Sequence, residues 1–191
     1  IANAAREAGA EVVLIAGPVA LDAPQGVRRV DVETAEQMYE QVHREVADAD
    51  VFIACAAVSD YRPQSVALEK IKRSAPDMKL DLVRSPDTLA SVAALAQPPF
   101  TVGFAAETCD VETHAREKLV RKGVDMIAAN RVGPDCGFDR DTNDLSVYWR
   151  DGEAQLGESS KAVLAERLIA LIGERYRAAR PAAASPAGAA T

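Results

Sequence analysis

Short apolar runs alternate with amphipathic stretches along the whole chain, and their spacing separates strands from helices. Residues 12–15 (Val, Val, Leu, Ile) form a run too short for a helix and are followed by Gly17-Pro18, which predicts a buried strand. Residues 29–32 alternate Arg-Val-Asp-Val and predict a strand near a sheet edge. Thr34 with Gln37 three residues on is a capping box. A helix is expected to follow to about residue 48, with Met38, Val42 and Val46 on one face. Residues 51–55 are the next buried strand, and residues 56–77, rich in Lys, Arg, Pro and Ser, read as a loop. Residues 80–83 alternate as a strand. Ser85-Pro86-Asp87 then opens a helix, with Ser85 expected as N-cap and Asp87 near the positive end. Its apolar face carries Leu89, Val92 and Leu95. Residues 100–104 are a strand, 111–122 a helix closed by Gly123, and 124–129 a further strand. A polar loop spans 131–144, and a hairpin turning at Asp151-Gly152 spans 145–157. Ser159 or Ser160 caps a last helix with Leu164, Leu168, Leu171 and Ile172 at helical spacing.

Strands and helices in alternation, with nearly continuous apolar strands, mean an α/β fold. The expectation is a Rossmann-like parallel sheet with helices on both faces, plus a C-terminal β-hairpin and helix. The 191 residues suit one domain, expected over 1–178, with 179–191 (Ala, Pro, Ser and Gly beyond Arg180) as a disordered tail. In such a sheet ligands gather where strands end and loops begin. The segments to examine are 55–74, 84–88, 103–110 and 129–144.

Composition narrows the chemistry. Twenty-two basic and 29 acidic side chains give a net charge of −7, which argues against a general nucleic-acid-binding surface. No apolar run approaches the ~18 residues that a membrane span needs. Cys55, Cys109 and Cys136 are scattered, with neither zinc-knuckle spacing nor the even count of a disulfide framework, and a reducing cytoplasm fits best. His43 and His114 are the only histidines, which leaves little material for a histidine metal site or a Ser-His-Asp triad. The sequence contains no GxGxxG and no GxxxxGK[ST]. The stretch 139–144 begins like a calcium loop, but Asp144 stands in place of the glycine and Arg150 in place of the final glutamate.

Four stretches can carry chemistry, and each has a plain structural alternative. Cys55-Ala56-Ala57 follows a buried strand and permits close backbone approach, with Asp60 able to bond a ribose hydroxyl or help hold a metal; the alternative is a tight turn. Glu69-Lys70-Ile71-Lys72-Arg73 suits a mobile clamp on phosphates, or is a solvated basic loop. Lys118 and Lys122 sit one turn apart with Arg121 beside them and no acid four residues away for either lysine, a repulsion that a bound anion would relieve; the alternative is cations favoured at a helix end. Gly103-Phe104-Ala105-Ala106 again permits backbone contact, with Phe104 either stacking on a base or filling the core.

Taken in order, AAVSDYRP, EKIKRS, SPD, VGFAAET, KLVRKGVDMIAAN and GFDRDTN closely resemble phosphopantothenoylcysteine synthetase over residues 1–178. In many bacteria that enzyme is the C-terminal half of a bifunctional flavoprotein whose N-terminal half is an FMN-binding decarboxylase, a domain not present in this chain. The resemblance implies a cytoplasmic ligase that is a homodimer, or a higher oligomer when fused to the decarboxylase. It would join 4′-phosphopantothenate to cysteine through an acyl-cytidylate, using CTP with Mg2+ and releasing pyrophosphate and CMP. It implies that Lys70 binds phosphates and closes over the site, and that Lys118 and Lys122 hold the nucleotide. Cys55, Ala56, Ala57 and Asp60 would line the nucleotide and acyl site. Pro86, Asp87, Thr88 and Leu89 would lie beside phosphates at a helix N-terminus, Phe104 on the base, and Asn130 against phosphopantothenate. Lys70 and Asp60 would be the catalytic pair. Metal ligands are not assigned. The alternatives are a nucleotide- or NAD(P)-binding module without ligase chemistry, and a structural assembly domain.

One departure stands out. The family opens with a strand, a Gly-rich turn and an Asn acting on the acyl-nucleotide, whereas this chain opens inside the first helix, and Asn3 does not match that Asn. Either the sequence is a fragment or another chain supplies the strand. The 191-residue chain by itself is expected to have little or no synthetase activity. Full turnover of CTP, phosphopantothenate and cysteine by it would refute that. Lys70→Gln should lower turnover sharply if the clamp operates, and leave a scaffold unaffected.

Overall fold

A computed structural model describes residues 1–67, 69–71, 78–132 and 142–180. The elements, in chain order, begin with α1 (Ala2–Glu7), β1 (Val13–Ala16), β2 (Arg28–Asp31) and α2 (Ala35–Glu45), which runs into a 3-10 turn, Val46–Asp48. There follow β3 (Val51–Ala54), β4 (Tyr61–Pro63), β5 (Leu82–Arg84), α3 (Thr88–Ala93), β6 (Phe100–Glu107) and α4 (Val111–Lys122). The chain continues through β7 (Met126–Arg131), β8 (Thr142–Trp149), β9 (Gly152–Ser160) and α5 (Lys161–Ala179).

The main sheet has the order β3-β6-β7-β8-β9. Its first three strands run parallel and its last two are antiparallel. The fold is thus the expected Rossmann-like α/β arrangement, with one correction. The C-terminal hairpin forms and joins the sheet through β8, which pairs antiparallel with β7, so the sheet is mixed and not wholly parallel. Alternation along β6 feeds two cores. On one face Phe100, Val102, Met126, Ala128, Leu145 and Val147 pack against Leu164, Leu168 and Ile172 of α5. On the other, Ala105, Ile127, Ala129 and Tyr148 pack against Ala115 and Leu119 of α4.

β1 and β2 pair in parallel as a separate two-stranded sheet. A third cluster, Val42, Val46 and Val92 with Ile15 and Phe52 packed against it, joins β1 to β3 through α2 and α3. Among the described residues, β1 and β3 each have a hydrogen-bonded strand on one side only.

Several boundaries move, each for a tertiary reason. Residues 61–63, expected as loop, form β4 because they find an antiparallel partner in β5, some twenty residues away. Arg62 also forms an ion pair with Glu36 of α2. The strand expected over 100–104 continues to Glu107, because β7 supplies ladder partners as far as Glu107 opposite Arg131. Ser85 is not the N-cap of α3. Its N–H donates to the Asp60 carbonyl (2.9 Å), which keeps it in line with β5, as suits a residue before proline. The cap is Asp87, whose side chain accepts from Ala90 N–H at 3.1 Å. The Thr34 capping box and the Ser160 cap form as expected.

Gly103 sets how closely α3 approaches β6. A Cβ at that position would lie 2.6 Å from Leu89 Cδ2 and 2.8 Å from Ile127 Cδ1. Gly103→Ala should therefore cost about 1–3 kcal/mol, read as a lower urea midpoint with an unchanged slope. An unaltered midpoint would show that α3 is not seated on that glycine.

Candidate active site

Three parallel strands, β3, β6 and β7, deliver their C-terminal ends side by side, with Ala54 opposite Gly103 and Glu107 opposite Arg131. Cys55, Ala56, Ala57 and Asp60 lie in the exposed loop that leaves β3. The β4–β5 ribbon returns the chain so that Asp60 and Ser85 are hydrogen-bonded neighbours. This ribbon brings the Asp60 loop beside Pro86 and Asp87, a proximity that no local pattern contains.

α4 leans over the end of β6. Gly123, with φ of 65°, closes it in the left-handed conformation that glycine adopts without strain. On its outer flank Arg116 bonds Glu112 (2.8 Å) and Glu153 of β9 (2.5 Å) and lies over the Tyr148 ring. The inner flank presents Lys118 and Lys122. Lys118 Nζ donates to the Phe104 carbonyl at 2.6 Å, and Lys122 forms an ion pair with Asp87. Each helix lysine thus has a protein acceptor, on β6 or before α3, while the charge of Lys122 still disfavours the Lys118 ammonium.

The electrostatics are mixed in sign. Half-burial pushes the Lys118 ammonium below the usual lysine range, and the charges of Lys122 and Arg121 push it the same way, against Glu107 and Asp60. Partial burial pushes the Asp87 carboxyl up. The Lys122 and Ala90 hydrogen bonds and the charges of Lys122 and Arg121 outweigh it and hold the group below the ordinary carboxylate range.

Lys118, Lys122, Asp87, Asp60 and the carbonyl of Phe104 therefore belong to one cluster. Leu89 is packed against the α4-side core and Gly103, where it seats the helix that carries Asp87. Thr88 opens α3, and its carbonyl accepts from Ser91 Oγ at 2.9 Å. The Phe104 ring packs on the α5-side core and remains part-exposed. Asn130 pairs with Ala106 across the ladder, so it shares that face. The strand tips thus offer an aromatic ring and an amide on one face, and cations on the other. Lys70 is exposed, and among the described residues no hydrogen bond or ion pair joins it to this cluster; Lys72, Arg73 and the GFDRD stretch lie outside the described residues. A shallow hollow of about 420 Å³ at the ends of β1 and β2 is lined by Asp31 and Glu33 beside Arg29 and suits phosphates poorly.

Two groups escaped the sequence reading. Glu107 ends β6, and its Oε2 lies 3.2 Å from Nδ1 of His114 on α4. The available signal was the spacing of His114, Lys118 and Lys122, each four residues after the last, which places all three on one helix face.

Fold and site together define a Rossmann-like α/β domain with a cluster of charged side chains at the tips of its parallel strands. Within that class, the chain belongs to the DNA/pantothenate metabolism flavoprotein C-terminal domain family, whose model matches residues 1–176. It is 49% identical over 179 residues to the coenzyme A biosynthesis bifunctional protein CoaBC of Vibrio cholerae, covering 92% of this chain and 45% of that protein. Identity to the CoaBC of Escherichia coli K12 is 46% over 181 residues, with 92% and 45% covered. The crystal structure of the C-terminal domain of a CoaBC protein superposes with a TM-score of 0.75 at 34% identity, covering 91% of this chain and 78% of that one. The chain spans a little under half the length of these curated relatives. No helix among the described residues is long and apolar enough to cross a membrane.

The lowered Asp87 value gives a pH signature. A depressed carboxylate contributes stability above its unfolded pKa of about 3.9, and that contribution is lost as pH falls through the folded value. Asp87→Asn keeps an N-cap and removes the charge. It should lower the urea midpoint at pH 7, and the deficit should close as the pH drops below about 4. A deficit independent of pH would assign the effect to the cap alone.

Proposed function

We propose that residues 1–178 act as a phosphopantothenate–cysteine ligase domain. The observation that carries this reading is the pairing of Lys118 and Lys122 over the β6 tip, next to Asp87 and the Asp60 loop. The relatives' role in coenzyme A biosynthesis supplies the substrate class.

Two anions must meet in this reaction, and the protein's work is charge neutralisation and positioning. The carboxylate of 4′-phosphopantothenate attacks the α-phosphorus of CTP; the oxygen–phosphorus bond forms and pyrophosphate leaves. Lys118 and Lys122 exchange their present partners for phosphate oxygens. That exchange costs little reorganisation because both ammonium groups are already aimed at the strand tips. The small residues Ala56 and Ala57 admit the nucleotide close to the backbone, Phe104 offers a ring to the base, and Asn130 faces phosphopantothenate. Lys70 covers the phosphates from its loop. A Mg2+ ion accompanying the triphosphate would screen its charge and would need only one or two protein carboxylates, of which Asp60 would be one. The amine of cysteine then displaces CMP.

The β4–β5 ribbon and the described residues between its strands expose Tyr61, Val66, Ile71, Met78, Leu80 and Leu82, each more than half accessible. So much apolar surface on one arm is a reason to expect a protein partner, and a second copy of the chain is the reading adopted.

Lys118→Gln and Lys122→Gln should each lower kcat/KM for CTP about 10–100-fold, as loss of a charge-assisted contact does. The measurement, in the protein at the length its gene encodes, is pyrophosphate release with and without phosphopantothenate. Release that ignores phosphopantothenate would sink the ligase reading. Leu82→Lys should shift the chain toward monomer in light scattering, and an unchanged mass would remove the ribbon from the interface.

A further inference from the structure

The ligase reading has two chemical halves, and the lysines serve only the first. Carboxylate activation needs cations. The amine step needs a group that accepts a proton, because the nitrogen of cysteine must give one up as it becomes an amide. Among the described residues, one titratable pair at the β6 tip has no role in the first half.

Glu107 is the last residue of β6, and only residues 108–110 separate that strand from α4. Asp110 turns the chain there with φ of 46°, a left-handed conformation that aspartate tolerates better than most residues. The tight turn sets the first part of α4 against the strand end, and Glu107 Oε2 comes to 3.2 Å from His114 Nδ1. An imidazole that donates Nδ1–H to a carboxylate keeps its lone pair on Nε2. None of the described hydrogen bonds uses Nε2, and 42% of the side chain is exposed. His114 stands one turn before Lys118 on the same face, where neighbouring Cβ atoms are about 5–6 Å apart. A basic nitrogen therefore lies next to the ammonium that the ligase reading sets against the phosphates. Arg131 opposite Glu107 on β7, Lys118 and Glu117 on α4, and Asp110 at its start are the other charged groups around the pair.

The geometry points to His114 as the general base of the amine step, with Glu107 as the positioning residue that fixes its tautomer; this rests on the ligase reading above. Cysteine enters as the free amine. Its nitrogen bonds to the acyl carbon, and the proton displaced from nitrogen passes to Nε2 of His114. The carbon–oxygen bond to the nucleotide phosphate breaks, and its electron pair leaves with CMP. The imidazolium then returns its proton to water.

The test separates the two halves, in the protein at the length its gene encodes. Activation is followed as phosphopantothenate-dependent exchange of labelled pyrophosphate into CTP, and the amine step as cysteine-dependent product formation in a single turnover. His114→Gln should slow the amine step about 100-fold, at least tenfold more than it slows exchange. Glu107→Gln should also slow the amine step, and Glu107→Asp should restore part of the loss. A readout that needs no turnover is the nitrogen NMR of the imidazoles, with the His114 signals assigned by their loss in His114→Gln. The proton of neutral His114 should sit on Nδ1, and Glu107→Gln should move it toward Nε2. Equal losses in both steps, an undiminished amine step in His114→Gln, or a proton found on Nε2 in the unsubstituted protein would overturn the base. Absence of exchange from the unsubstituted protein would instead overturn the ligase reading, and the base with it.

Discussion

Close packing on both faces of β6 is the constraint on which the site depends. On one face Gly103 and Ala105 leave room for Leu89 and for the Ala115 and Leu119 stripe of α4. On the other, Val102 and Phe104 meet the core under α5. Because interiors tolerate little change in volume, the small residues of β6 fix where α3 and α4 stand. Lys118, Lys122 and Asp87 have their positions as a consequence. The last residues of the strand, Ala106 and Glu107, then emerge into a space already bounded by charged groups.

The charges at that end are held ready by interactions that a ligand can replace. Lys118 has a carbonyl and Lys122 a carboxylate as hydrogen-bond acceptor, which offsets part of the cost of two ammonium groups one turn apart. Half-burial keeps Lys118 short of solvent and lowers its proton affinity. In the proposed reaction a phosphate would offset that penalty by supplying the opposite charge in a poorly hydrated place, where Coulombic attraction is strongest. The acidic total of the chain does not prevent this, because anion binding depends on the local arrangement and not on the sum.

The divided sheet gives the molecule its second character. α2, α3 and the cluster around Val42, Val46 and Val92 hold β1 and β3 in one assembly, although no ladder joins those strands. The functional tips belong to the continuous part, β3-β6-β7, where hydrogen bonds and two cores act together. The β4–β5 ribbon, by contrast, is a two-stranded outlier tied to the body through Arg62 with Glu36 and through Asp60 with Ser85. It carries the Asp60 loop to Asp87 while leaving its own apolar side chains uncovered.

Periodicity was enough to read the helices α2, α4 and α5 and the strands β1, β3, β6 and β7, since burial on a known face imposes a repeat of 3.6 or 2 that local sequence must obey. The Thr34 box, the Gly123 stop and the cation pair on α4 were legible for the same reason: each is a relation between residues within one turn or two. The motif order carried the family, and with it an expectation for most of the site. Tertiary structure alone decided the rest. The pairing of Tyr61–Pro63 with Leu82–Arg84, the shift of the α3 cap from Ser85 to Asp87, the partners of Lys118 and Lys122, and the meeting of Glu107 with His114 join groups from different elements. Such contacts are selected by the packing of the whole sheet, and no spacing along the chain encodes them.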